Sequence, residues 1–150
     1  MTIAKQLSYY GRLIGLAGLV ILLSACTSLP DEAYLKKAEN ISNQLLDALA
    51  KQRYDEVVQF YGERFFERVS PEAWKVDLRK LSEKLGAYQS RKITATSVTH
   101  GFSTISLVTT VIVYRVNYEK NYSVQKFTFT STEQAEDMTL VGHYIDFPKE

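Results

Sequence analysis

The chain has 150 residues, 18 Lys and Arg against 17 Asp and Glu, and a single cysteine. This near-neutral balance, with no basic block, lacks the clustered cations by which nucleic-acid binders neutralise phosphates. The short pairs Arg79-Lys80 and Arg91-Lys92 read as solvated faces. One cysteine excludes an intrachain disulfide, so the fold must rest on its core, and the length suits one small domain without internal repeats.

At the N-terminus, Lys5 and Arg12 precede or open an apolar stretch from Leu13 to Leu23 that ends in Ser24, Ala25 and Cys26. A positive region, a short apolar run and small residues are the three parts of a secretory signal. The run is shorter than the roughly 20 apolar residues of an ordinary membrane span. Small residues followed at once by the only cysteine resemble the bacterial lipoprotein lipobox, with Leu23 three residues before Cys26. The resemblance implies that the Cys26 thiol receives a diacylglycerol, that residues 1–25 are removed and that the new amino group is acylated. Each buried methylene contributes about 0.8 kcal/mol, so one chain holds marginally and two or more hold stably. Processing removes Lys5 and Arg12 and leaves 16 basic against 17 acidic side chains.

In such lipoproteins an Asp directly after the cysteine favours the inner membrane, and here Thr27 and Ser28 follow. The expected location is therefore the periplasmic face of the outer membrane, with the outer face of the cytoplasmic membrane as the alternative. Residues 26–31 form a short tether, which is expected to hold the domain, and any partner, near the bilayer. A single domain is expected over 32–148.

From Asp31 the pattern is helical, with Ala38, Ile41, Leu45, Ala48 and Leu49 on one face. A break near Gln52-Arg53 precedes a shorter helix carrying Val57, Val58, Phe60 and Tyr61, and Phe65, Phe66 and Val69 lead on to Ser70-Pro71-Glu72. Ser at the N-cap, Pro at the first helical position and an early acid open a third helix. It carries Trp74, Leu78, Leu81 and Leu85 on one side and stops at Gly86, a residue suited to a left-handed cap. Then the period changes. Ala87 to Thr99, Ile105 to Tyr118, Tyr122 to Thr132 and Thr139 to Phe147 are four β-branched and aromatic runs separated by turn residues. Such short connections favour antiparallel pairing, giving an α+β plan with helices on one face of the sheet.

Trp74 on a third helix, the segment Leu78-Arg79-Lys80-Leu81-Ser82-Glu83-Lys84-Leu85-Gly86 and the terminal run Val141-Gly142-His143-Tyr144-Ile145 resemble small bacterial domains of unknown function with an NTF2-like, cystatin-like cone. The resemblance spans roughly 32–147 and implies N-terminal helices packed on a curved four-stranded antiparallel sheet. A cavity between helices and sheet serves some members for ligands or catalysis and others for association. Fold alone does not choose among these uses.

The chemical inventory is sparse. His100 and His143 are the only histidines, and no metal-ligand spacing, phosphate-binding glycine loop or nucleophile motif occurs. Neither a metal nor a cofactor is expected, and no catalytic residue is assigned. On the last strand, His143 and Ile145 share one face, Tyr144 and Asp146 the other. An acid/base pair in the cone would be Asp146 with Tyr144 or His143 with Tyr88, against the simpler reading of edge polar groups and a satisfied histidine. Ten Tyr and seven Phe accompany one Trp. Tyr88, Tyr114, Tyr118 and Tyr144 form the candidate ligand or partner surface, beside the simpler reading of β-propensity and core packing. Tyr9 and Tyr10 belong to the cleaved segment.

The expected function is a lipid-anchored, noncatalytic envelope protein that binds a protein partner or a small hydrophobic ligand. The alternatives are a structural component of an envelope or secretion complex, and an enzyme with an acid/base pair in the cone. The expected contacts are the membrane, through the anchor, and an envelope protein, with no nucleic acid.

Overall fold

The computed structural model describes residues 31–101, 106–133 and 135–147. The expected signal segment, Cys26 and the tether up to Pro30 lie outside the described residues. Helix α1 (Asp31–Ala50) carries Asp31 and Glu32 in its first turn, where they meet the positive end of the helix dipole. Its buried stripe is Tyr34, Ala38, Ser42, Leu45, Leu46, Ala48 and Leu49. Gln52, at φ +57°, ends the helix: its N–H donates to the Leu49 carbonyl and that of Arg53 to the Ala48 carbonyl, both at 2.9 Å. These two bonds are the Schellman pattern, with glutamine where glycine is usual.

The expected second helix is broken into short pieces. It consists of α2 (Tyr54–Val57), a 3₁₀ turn over Val58–Phe60, an extended Tyr61, and α3 (Glu63–Phe66). Tyr61 leaves the helix to form a parallel bridge with Leu140, so pairing with the sheet overrides local helical preference. Helix α4 (Pro71–Leu85) starts as its residues dictate, with the Ser70 hydroxyl accepting from Ala73 N–H at 3.2 Å. Gly86 ends it at φ +82° and ψ −163°. The expected positive φ is present, but ψ is extended rather than helical, because the chain turns directly into a strand.

Strands β1 (Tyr88–His100), β2 (Val108–Tyr118), β3 (Tyr122–Ser131) and β4 (Thr139–Asp146) form one antiparallel sheet in the order β1-β2-β3-β4. The architecture is α+β, with the helices first in the chain and the sheet after them. β2 begins at Val108, three residues later than its sequence suggests. Strict alternation on β2 places Val108, Thr110, Ile112, Tyr114, Val116 and Tyr118 on the inner face. Cross-strand register puts Gln125, Phe127 and Phe129 of β3 beside them. On β4, a bulge between Gly142 and Leu140 sets the phase so that Leu140, His143 and Ile145 face inward. α1 lies against β1 and β2, while α3 meets β4. Leu45, Leu46, Leu78, Leu85, Ile112, Phe127 and Phe129 fill the space between the layers, each such side chain contributing about 1.5–3 kcal/mol on burial. Among the described residues, no helix is long and apolar enough to cross a membrane.

Candidate functional site

The inner face of β4 brings His143 under the segment that joins α2 to α4. Tyr61 donates its hydroxyl proton to His143 Nδ1 at 2.7 Å. The opposite nitrogen, Nε2, meets Gln125 Oε1 at 3.0 Å. The Gln125 amide nitrogen donates to the Tyr118 hydroxyl at 2.9 Å and to Ser123 Oγ at 3.0 Å, which turns its oxygen toward the histidine. A carbonyl oxygen only accepts, so His143 carries its proton on Nε2 and receives one on Nδ1. Both ring nitrogens are therefore used by the fold.

Aromatic packing seals the group. The His143 ring stacks on Phe127 with centroids 4.2 Å apart, and Trp74 meets it edge-on at 5.7 Å. Tyr61 packs on Phe65 with centroids 4.3 Å apart and the rings tilted by 34°. Burial pushes the His143 imidazole down to about 3 and the Tyr61 phenol far above its ordinary range, because a charge on either would lose its water. The Trp74 indole N–H is buried near the Tyr61 phenol without a hydrogen bond of good geometry among the described residues.

Beside this cluster runs a groove of about 390 Å³ between α4 and β4. Trp74, Leu78, Leu81, Ile145 and Phe147 supply its apolar walls, His143 closes one side, and Asp77, Lys80 and Lys84 stand at the rim. The Lys84 ammonium lies 4.5 Å from the centre of the Phe147 ring, a cation–π contact that leaves its charge exposed. The size falls near the lower end of the roughly 300–1,000 Å³ typical of small-molecule sites.

A second cleft, on the other side of α4, is polar. Lys75 binds Asp55 at 2.8 Å and Glu72 at 2.7 Å. These bonds raise the Lys75 ammonium and lower the Asp55 carboxyl from their usual ranges. The lysine is satisfied there by the two carboxylates.

The four tyrosines named from the sequence do not share one surface. Tyr114 is buried against Phe127 at 5.8 Å, with its phenol reaching Asn43 at 3.3 Å. Burial pushes that phenol up to about 12. Tyr118 is buried and half of the edge-on Tyr88–Tyr118 pair, 6.3 Å apart. Tyr88 also accepts from Arg91 at 3.4 Å. Tyr144 is 61% exposed on the outer face of the sheet. Of the two candidate acid/base pairs, Asp146 and Tyr144 both point to solvent on that outer face. His143 does point inward beside a tyrosine, but the partner is Tyr61, not Tyr88. The pairing differs because Tyr88 sits on β1, across the sheet from β4.

Tyr61, Gln125 and Trp74 were not singled out as site residues by sequence reasoning. Gln125 did leave a signal, since it occupies an inward position in the alternation that also places Phe127 and Phe129. A polar residue in an apolar register marks a buried network. His100, by contrast, is exposed, bonding Asp31 at 2.8 Å at the start of α1. Among the described residues no group of His, Cys, Asp and Glu is arranged to hold a metal ion. No protein-family model, curated protein or solved structure matches the chain.

Proposed function

We propose that this chain is a lipid-anchored envelope protein that holds a protein partner or a small hydrophobic ligand in the α4–β4 groove without altering it chemically. The anchor is Cys26, and the location is the periplasmic face of the outer membrane. The order of helices and strands supports assigning the domain to the NTF2-like, cystatin-like cones, with the groove as the counterpart of their cavity. The observation that carries the binding reading is an apolar groove closed on one side by a histidine with both nitrogens engaged. A general base needs a free lone pair and a pKa near the working pH. His143 offers neither, which favours binding over the acid/base alternative.

The test is a photocrosslink. p-Benzoylphenylalanine is placed at Phe147, in the groove, and separately at Glu39, on the exposed side of α1, and each full chain is irradiated in the native envelope. A discrete adduct from position 147 that is absent from position 39 is expected; equal or absent adducts would remove the reading. The anchor is tested separately with a clickable fatty acid, where Cys26→Ser is expected to abolish labelling.

A further inference from the structure

β4 is an edge strand. Its beginning is covered, since Tyr61 bridges Leu140 and the Gly62 N–H donates to the Leu140 carbonyl at 2.9 Å. The remainder is open, and ladder alternation shows which groups it presents. The β2–β3 hairpin closes with Tyr118 N–H on the Asn121 carbonyl at 2.8 Å. Antiparallel bonds alternate from that pair, so β2 takes the main-chain bonds of Gln125 and Phe127. Those of Val124, Lys126 and Thr128 go to Asp146, Tyr144 and Gly142 of β4. The main-chain groups of His143 and Ile145 therefore face away from β3, as the Leu140 carbonyl does. Among the described residues no hydrogen bond outside the sheet reaches them.

The groove follows this edge. It is lined by inward-facing His143 and Ile145 and also by Tyr144, whose side chain belongs to the outer face. Apolar walls and unpaired main chain thus occupy one slot. Two of the three charged side chains that line it are positive: Lys80 and Lys84 on the helix side, neither in an ion pair among the described residues, with Asp77 opposing them. On the outer face Lys126 lies beside Tyr144, and Asp146 of β4 stands on that face as well.

We infer that the groove takes an extended acidic peptide segment of a partner protein, which joins the sheet as a fifth strand on the His143–Ile145 edge and inserts alternate apolar side chains against Trp74, Leu78 and Leu81. Main-chain bonds supply affinity in this mode, and pockets for alternate side chains supply specificity. An open edge left beside an apolar slot otherwise invites unwanted pairing. The inference rests on the binding reading above and narrows its occupant from any hydrophobic ligand to a strand.

The experiment uses the full chain in lipid nanodiscs and a fluorescein-labelled seven-residue peptide alternating Val and Glu, read by anisotropy. Two further peptides carry N-methyl groups on all Val amides or on all Glu amides. In either strand direction only one of these sets points at β4, so one methylated peptide is expected to lose about tenfold or more in affinity while the other keeps its own. Equal loss or equal retention overturns strand addition and leaves a groove filled by side chains alone. Failure of every peptide, with a Phe147 crosslink still obtained, also overturns the inference but spares the binding reading. Failure of both experiments removes both.

Discussion

The Tyr61 hydroxyl and His143 Nδ1 meet at 2.7 Å although the two residues are 82 positions apart in the sequence, and this bond ties the irregular segment after α2 to the last strand. Tyr61→Phe removes the donor and leaves a buried nitrogen unpaired, which costs about 1–3 kcal/mol. Urea unfolding of the variant should show that loss in the midpoint with an unchanged slope, and a double-mutant cycle with His143→Phe should return a non-zero coupling.

Acid should weaken the protein through His143. Its folded pKa lies near 3, below the ordinary 6.5, so between these values the unfolded chain binds a proton that the folded chain refuses. The stabilising contribution is complete above pH 6.5 and declines as pH falls toward 3, at a slope approaching ~1.4 kcal/mol per pH unit. Urea midpoints at pH 7, 6 and 5 measure it. His143→Phe, which has no site for the proton, should lack this part of the decline.

Two helix ends should respond with opposite signs. Gln52 adopts φ +57° at the end of α1, a conformation that costs a residue with a Cβ, so Gln52→Gly should stabilise by about 0.5–1 kcal/mol. Gly86 needs φ +82°, and an added Cβ would press on the Glu119 side chain at 3.1 Å. Gly86→Ala should therefore destabilise by about 1–2 kcal/mol. Thermal midpoints moving the same way would contradict the assignment of strain.

Ser70→Ala deletes the acceptor for Ala73 N–H at the start of α4 and should cost about 1 kcal/mol. Because α4 forms one wall of the groove, amide exchange in residues 72–75 should quicken before exchange in β2 does. Uniform quickening across the chain would argue that this cap has no local role.

Much of the fold was legible in the residues because each element carried its own punctuation. Ser70-Pro71 and Gly86 bounded α4, and β-branched runs bounded four strands whose ends fell within a few residues of the structure. The piece that could not be read was the stretch from Tyr54 to Phe66. There the aromatic spacing looked helical, but pairing of Tyr61 with Leu140, far away in sequence, pulled the backbone out of the helix. The groove was obscured for the same reason, since Trp74 and His143 meet only when α4 and β4 are laid side by side. The tyrosines misled because alternation predicts which face a residue occupies but not whether that face is covered: Tyr114 and Tyr118 lie under helices and Tyr144 does not.

The start of α1 and the Phe147 end of the groove sit toward opposite ends of the strands. Asp31 contacts His100, whose strand neighbours are Val108 and then Ser131, whereas Phe147 follows Asp146, the partner of Val124. The span from Val124 to Ser131 is about 23 Å at 3.3 Å per residue. The length of the strands, rather than the width of the sheet, thus keeps these two places apart, and a contact made at the Asp31–His100 pair leaves Phe147 uncovered.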